Sequence, residues 1–402
     1  MDFKLTEEQE KRRREFFNVC KELAKERPAS IHTLIDAFEA ATEEEIGYEK
    51  RCRLEFARRG WLRLGWPAEY GGIGTMMDRA LLGEATGYHG VPGVDPEGVG
   101  MLAPMLIAEA SEYIKKRFLP PIGNGEVLWC ELWSEPNAGS DLAALSTTAI
   151  RKGDEYIING QKTWTSFGHR AEWGFGLFKS DLQAPKNHNL SFILLDMRSP
   201  GVTVNPLYYI DGKHFYNEVF LDDVHVPAEN LVGEENKGWM VAQTLLGFER
   251  SMLGTIMTLQ RQLEDLVKYC NETKLGGKIL AHDPIIRNRL AEMASEIEAS
   301  RTLAYHIADL QDRHEIAMFE ASAIKVHSSE LGERVAALGV DILGAYGQVK
   351  ASKWAPMDGE WESVVQTCLS QSIAAGSNEI QKNIIAWGGL GMPRPPKARP
   401  KA

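Results

Sequence analysis

The apolar residues of this chain change period twice, and that order limits the folds open to it. Thr6 and Gln9 stand in capping-box spacing ahead of a charged periodic stretch, which predicts a first helix. Helical periodicity then runs to about Gly125, with breaks at Trp66-Pro67 and Tyr70-Gly71-Gly72. From Glu126 to Glu235 short alternating runs take over. Thr147–Arg151, Glu155–Ile158, Gln161–Ser166, Leu190–Leu195, Val202–Val204, Asn217–Leu221 and Val224–Val226 predict strands. Asn159-Gly160 reads as a tight turn and Asp222-Asp223 as a gap between two strands. From Gly238 the helical period returns. Val241, Leu245, Phe248, Met252, Ile256, Leu259, Leu263 and Leu266 predict one apolar stripe on one long helix. Ile286–Leu310, Phe319–Leu338 and Ser377–Trp387 predict further helices. The expected fold is a multi-domain α+β chain. A helical domain spans 1–125, a β-barrel-like or sandwich domain 126–235, and a helical bundle 236–402.

Composition sets limits on function. With 402 residues, 44 % of them hydrophobic and 25 % charged, the chain can bury a large core. A formal net charge of −11 argues against nucleic acid and anionic membrane surfaces as partners. No apolar run is long enough for membrane insertion. Cys20, Cys52, Cys130, Cys270 and Cys368 are odd in number, scattered and free of CxxC pairs, which predicts reduced thiols rather than a disulfide framework or a zinc site. The charged N-terminus is unlike a signal peptide, and a cytoplasmic protein is expected. His306 and His314 lack metal-ligand spacing, no metal is expected, and no GxSxG, P-loop or post-strand GxGxxG occurs.

Two stretches carry chemistry. Leu132-Trp133-Ser134-Glu135-Pro136-Asn137-Ala138-Gly139-Ser140-Asp141 offers backbone N–H groups and hydroxyls to a polar ligand, although composition alone fits a solvated β-turn as well. In Asn159-Gly160-Gln161-Lys162-Thr163-Trp164-Thr165-Ser166, Trp164 suits stacking on a planar ring and Thr165 and Ser166 suit its polar edge, although a core tryptophan on a strand has the same pattern.

Together, at this spacing, the two resemble the acyl-CoA dehydrogenase family. The likeness continues collinearly through Leu64–Gly72, Phe118–Ile122, Asn217–Pro227, Gly233–Trp239 and Ala375–Gln381. It implies an N-terminal helical domain, a middle β-domain and a C-terminal four-helix bundle, with FAD between the last two domains. It also implies α,β-dehydrogenation of an acyl-CoA, with electrons passed to an electron-transfer flavoprotein. The implied cofactor contacts are Leu132, Ser134, Gly139, Ser140, Trp164, Thr165, Ser166, Asp341, Gly344, Ser377 and Glu379. The implied substrate contacts are Ser140, Arg250, Ala375 and Gly376.

The family places its base at one of two positions. The commoner one, before the glycine of the C-terminal motif, is Ala375 here, which cannot take a proton. The other lies in a Glu-Arg pair on the first helix of the bundle, matched by Glu249-Arg250. Glu249 is therefore the expected catalytic base, although helix pattern alone would leave it an ordinary solvent-facing residue. Two departures stand out. Thr273–Lys278 lacks the arginine that often reaches a partner's FAD, and Asp341 stands where Gln is common. Both recur in α2β2 members that handle bulky acyl groups, so a heterotetramer stands beside the expected homotetramer, and a base on the long helix with Gly247 and Ala375 nearby leaves room for a branched, alicyclic, aromatic or steroid-like substrate. The alternatives are an acyl-CoA oxidase, a desulfinase-like relative and a non-catalytic FAD- or CoA-holding partner subunit.

Overall fold

The computed structural model describes residues 4–31, 42–248, 252–315, 317–350 and 352–394. These form two compact units, Met1–Glu249 and Arg250–Ala402.

The first unit opens with helix α1 (Glu7–Leu23). Its N-cap Thr6 and Gln9 exchange hydrogen bonds of 2.8 and 3.2 Å, forming the capping box read from the sequence. Helices α2 (Glu43–Arg58) and α3 (Met76–His89) begin with the same device at Thr42 and Thr75. Between them lie single turns at Trp61–Arg63 and Ala68–Tyr70. Gly72 permits this close path, since a Cβ there would fall 1.8 Å from the Trp66 carbonyl oxygen. Helices α4 (Ala103–Glu109) and α5 (Glu112–Gly123) complete the helical layer.

The β-domain contains β1 (Trp129–Leu132), β2 (Thr148–Lys152), β3 (Glu155–Lys162), β4 (Trp173–Lys179), β5 (Leu190–Asp196), β6 (Val202–Tyr208), β7 (His214–Pro227) and β8 (Leu231–Val232). They form one sheet in the order β6-β7-β3-β2-β4-β5-β8, with β1 lying parallel to β4. Cys130, Leu132, Tyr156, Ile158, Phe178, Ile193, Val219 and Val224 fill its core. Buried charges tie the helical layer to the sheet. Glu49 on α2 accepts from Arg170 at 3.0 Å and from Arg53 at 3.1 Å, and Arg53 also donates to the Gly125 carbonyl at 2.5 Å.

Two turn expectations are corrected. Asn159-Gly160 lies inside β3, where the register against β7 shifts, and the hairpin turn is Gly153-Asp154, which joins paired residues Lys152 and Glu155. Asp222-Asp223 lies inside β7, with Asp223 left-handed at φ +47°. The two irregularities face each other. Asn159 donates to Asp223 Oδ1 at 2.9 Å, and the Asp223 N–H returns to Asn159 Oδ1 at 2.9 Å. Residues typical of turns here seal a bulge, because their side-chain amide and carboxylate replace the missing ladder bonds.

The predicted single long helix is also corrected. Helix α6 (Gly238–Phe248) packs on α4 and β5 within the first unit. Helix α7 (Leu253–Glu272) belongs to the second, and Met252 before it is left-handed at φ +46°. Helices α7, α8 (Pro284–Asp312) and α9 (Met318–Leu343) pack pairwise, and the short helices α10 (Glu360–Thr367) and α11 (Asn378–Ile384) close against α9. Lys274–Leu275 and Lys278–Ile279 form a small hairpin.

Candidate functional site

Strand β1 delivers the first chemical stretch. It lies so close to β4 that a Cβ on Gly176 would come within 2.2 Å of the Leu132 carbonyl oxygen. The Leu132 side chain is buried in the β-core, which leaves its backbone as the part able to meet a ligand. Beyond it, Glu135 and Ala138 exchange two 3.0 Å backbone hydrogen bonds and close a tight turn. Pro136, Asn137, Gly139 and Ser140 are exposed, and nothing lies within 4 Å of where a Gly139 Cβ would stand.

Glu135 points the other way, into the protein. It accepts from Ser146 N at 2.6 Å, Ser146 Oγ at 2.8 Å, Thr147 N at 2.9 Å and Lys162 Nζ at 3.0 Å. Lys162 is wholly buried and also donates to the carbonyls of Leu177 at 2.9 Å and Trp133 at 3.2 Å. Burial works to raise the Glu135 carboxyl, but Lys162 and the donors from Thr147 and Ser146 outweigh it and hold the group at about 2. Burial lowers Lys162 to about 8 against the opposing pull of Glu135. Both are charged at neutral pH. A buried, fully bonded ion pair thus locks the first stretch to the second.

A backbone bond from Thr163 N to the Ser134 carbonyl, at 2.9 Å, makes the second link. From here the chain alternates. Trp164 is 60 % exposed, Thr165 is buried and Ser166 is half-buried. Trp164 is left-handed at φ +60° and meets Tyr216 edge-on at 5.8 Å. Thr165 faces the interior, and its backbone N–H and carbonyl are both taken by Asn217. Its buried hydroxyl has no partner among the described residues. Thr165 is thus turned away from solvent, whereas Trp164 is exposed and Ser166 half-buried.

In the second unit, Ala375 and Gly376 are left-handed, at φ +52° and +78°. Gln381 spans this turn by donating to the Ala375 carbonyl at 3.0 Å and the Gly376 carbonyl at 3.4 Å. Asn378 is held from α9, where buried Lys325 donates to its Oδ1 at 2.9 Å and Ser329 at 3.1 Å. Ser377 caps α11. The Glu379 carboxyl is held below its usual range, first by the backbone N–H beneath it and then by Ser377. Asp341 is paired with Arg289 at 2.9 Å, so its charge is balanced locally, and Gly344 ends α9 at φ +62°. Glu249 and Arg250 lie outside the described residues.

Residues 6–126, 130–224 and 236–390 match the family models for the N-terminal, middle and C-terminal domains of acyl-CoA dehydrogenase. The chain belongs to the acyl-CoA dehydrogenase family. It is 35 % identical over 363 residues to acyl-CoA dehydrogenase IpdE1 of Mycobacterium tuberculosis, covering 88 % of this chain and 91 % of that protein. It is 30 % identical over 338 residues to cyclohexane-1-carbonyl-CoA dehydrogenase of Geobacter metallireducens, covering 81 % and 86 %. Among solved structures, a chain of the ChsE4-ChsE5 complex from Mycobacterium tuberculosis superimposes with a TM-score of 0.87 at 30 % identity, covering 98 % of this chain and all of that one. This acyl-CoA dehydrogenase is an FAD-dependent oxidoreductase acting on the CH–CH bond of an acyl-CoA.

Its residues fit that cofactor. Trp164 presents an exposed indole for a planar ring. The hydroxyls of Ser134, Ser140 and Ser166 have no side-chain partner among the described residues, as groups reserved for a ligand would. Glu135 and Lys162 sit within the two stretches already singled out, and their coupling was missed because two residues 27 apart carry no local signal. Asn217, His169 and His214 were missed as well, although Asn217 opens one of the collinear segments.

Proposed function

We propose that this acyl-CoA dehydrogenase removes the α-proton and β-hydride of a branched or ring-bearing acyl-CoA, with Glu249 as the base. Ala375 is the observation that carries the reading. At the position of the commoner family base it offers only a methyl group, in a turn whose shape Gln381 holds. A thioester α-C–H is a poor acid and needs a positioned carboxylate. Glu249 supplies one from the other family position. The backbone N–H of Ala375 is then left to bond the thioester carbonyl and stabilise the developing enolate. FAD, when bound, supplies the acceptor for the β-hydride. Trp164, Ser134, Gly139, Ser140 and Ser166 orient the ring and exclude water, Gly344, Ser377 and Glu379 contribute from the second unit, and Ser140, Arg250 and Gly376 line the acyl-CoA.

A methyl at Ala375 also leaves volume beside the reacting carbons. Relatives named for ring-bearing acyl groups, cyclohexane-1-carbonyl-CoA dehydrogenase and the Tcur3481-Tcur3483 steroid ACAD (28 % identical, TM-score 0.86), support an alicyclic or steroid-like substrate. An electron-transfer flavoprotein as acceptor is supported by the 30 % identical caffeyl-CoA reductase-Etf complex subunit CarC of Acetobacterium woodii. The ChsE4-ChsE5 complex, which joins two different chains, supports a mixed assembly such as a heterotetramer as the alternative to a homotetramer.

The test is flavin bleaching with a panel of straight, branched and ring-bearing acyl-CoAs, run with and without O2. Ring-bearing thioesters are expected to bleach fastest. Glu249→Gln is expected to keep FAD and lose bleaching. A preference for unbranched medium chains rejects the substrate class, and near-normal bleaching by Glu249→Gln rejects the base. Purification alone followed by a flavin spectrum and sizing decides whether the chain needs a sister subunit.

A further inference from the structure

The predicted strand Gln161–Ser166 stops at Lys162, and the turn that follows it and carries the exposed indole is strained. Trp164 and Phe167, three residues apart, both have left-handed backbones, at φ +60° and +59°. A bulky aromatic in this region is disfavoured, and it persists only where its surroundings over-determine it. The residue that does so is Asn217 on β7, which is completely buried. Its carbonyl accepts from Thr165 N at 3.0 Å. Its two amide protons are shared among the Thr165 carbonyl at 2.9 Å, the Phe215 carbonyl at 3.2 Å and His169 Nδ1 at 3.2 Å. Its Oδ1 accepts from His214 Nε2 at 2.8 Å. The turn closes tightly over this amide, since a Cβ on Gly168 would lie 3.1 Å from Thr165 Cγ2 and 3.3 Å from Asn217 Nδ2.

The Thr165 and Phe215 carbonyls, which can only accept, decide which way the amide points, and the two imidazoles hold it there. Their rings pack at 4.2 Å and 34°. Although part of His169 is open to solvent, its buried portion, with His214 and Arg170 adding, lowers it to about 4, so the ring is neutral at pH 7 and can take the tautomer whose Nδ1 accepts from the amide. His214 offers the complementary N–H. A flipped Asn217 would set its amide protons against the His214 donor and its oxygen against two carbonyls, so one orientation is imposed.

We propose that Asn217, kept in place by His214 and His169, is a positioning residue that holds Trp164 and Ser166 at the flavin and thereby sets the reduction potential of the bound cofactor. The proposal rests on the assignment of Trp164 and Ser166 to the flavin face, and the experiment separates the two. The midpoint potential of FAD is measured in the holoenzyme and in Asn217→Asp, His214→Phe, His214→Gln and Ser166→Ala. Amide exchange at 163–168 is followed in the apoprotein. Asn217→Asp turns a carboxylate oxygen toward two carbonyls. It is expected to change the oxidised-to-reduced ratio at a fixed potential at least tenfold, about 30 mV for a two-electron couple. It is also expected to speed exchange of the Thr165 N–H at least tenfold. His214→Phe should act in the same sense, and His214→Gln, which keeps a donor, should restore the parent potential. Should Asn217→Asp fail to load FAD, the His214 pair decides alone. An unchanged potential in Asn217→Asp and His214→Phe, with Ser166→Ala shifted, overturns the positioning role and leaves the flavin face standing. An unchanged potential in all of these rejects the flavin face, and the proposal with it.

Discussion

Lys162→Met tests whether the buried ion pair is what holds the Ser134–Ser140 loop. Methionine keeps the apolar stem and removes the ammonium, which also lies over the Phe178 ring at 5.1 Å. Glu135 is then left ionised and 5 % exposed at its side chain, with Ser146 and Thr147 as its remaining donors. Removing one partner of a buried pair costs about 3–5 kcal/mol. The carbonyls of Leu177 and Trp133 also lose a donor, each worth about 1–3 kcal/mol if it stays dry. We therefore expect urea unfolding of the apoprotein at pH 7 to show a loss of at least about 3 kcal/mol. Adding Glu135→Gln removes the stranded charge. The double variant should recover part of the loss, with a coupling energy of roughly 2 kcal/mol. FAD retention should fall in the single variant, because Ser134 and Thr163 lose the anchor on either side of them. A loss below about 1 kcal/mol, or strictly additive single changes, would refute the claim that these residues act as one unit.

Acid should act on the same pair. Glu135 lies at about 2 against an ordinary 4.5, so its stabilisation is complete above 4.5 and drains away as pH falls toward 2, roughly 3 kcal/mol in all. Glu135→Gln should flatten that part of a stability–pH profile, and an unchanged slope would count against it. Gly160→Ala would place a Cβ 2.5 Å from Thr147 Oγ1 at φ +147°. It should cost about 2–4 kcal/mol in thermal or urea unfolding, and a neutral result would mean the β3 bulge relaxes freely. Gln381→Ala frees the Ala375 and Gly376 carbonyls and should raise KM for acyl-CoA about tenfold with FAD still bound, as ~1.4 kcal/mol of lost turn geometry would. An unchanged KM would show that the turn holds itself.

Much of this protein was legible in its residues. The helical, β, helical order follows from apolar period alone, because 3.6- and 2-residue spacings bury different faces. The helix starts at Thr6 and Ser377 follow from local capping chemistry. The two stretches proposed to meet the flavin stand out by residue type, since serines and a tryptophan in a turn are a local signal. What failed was whatever depends on a partner distant in sequence. Asn159-Gly160 has the chemistry of a turn, and only pairing with Asp223 on β7 makes it a bulge. The stripe from Val241 to Leu266 is continuous in sequence, yet Met252 interrupts it, because backbone conformation answers to packing as well as to periodicity. Thr165 looked equivalent to Ser166 and is turned inward, its backbone held by Asn217. Short-range propensity and pattern thus settled the elements and the family. The buried charges and amides that join those elements were settled by tertiary contact, because a hydrogen bond between residues 27 or 52 positions apart leaves no periodic trace in the chain.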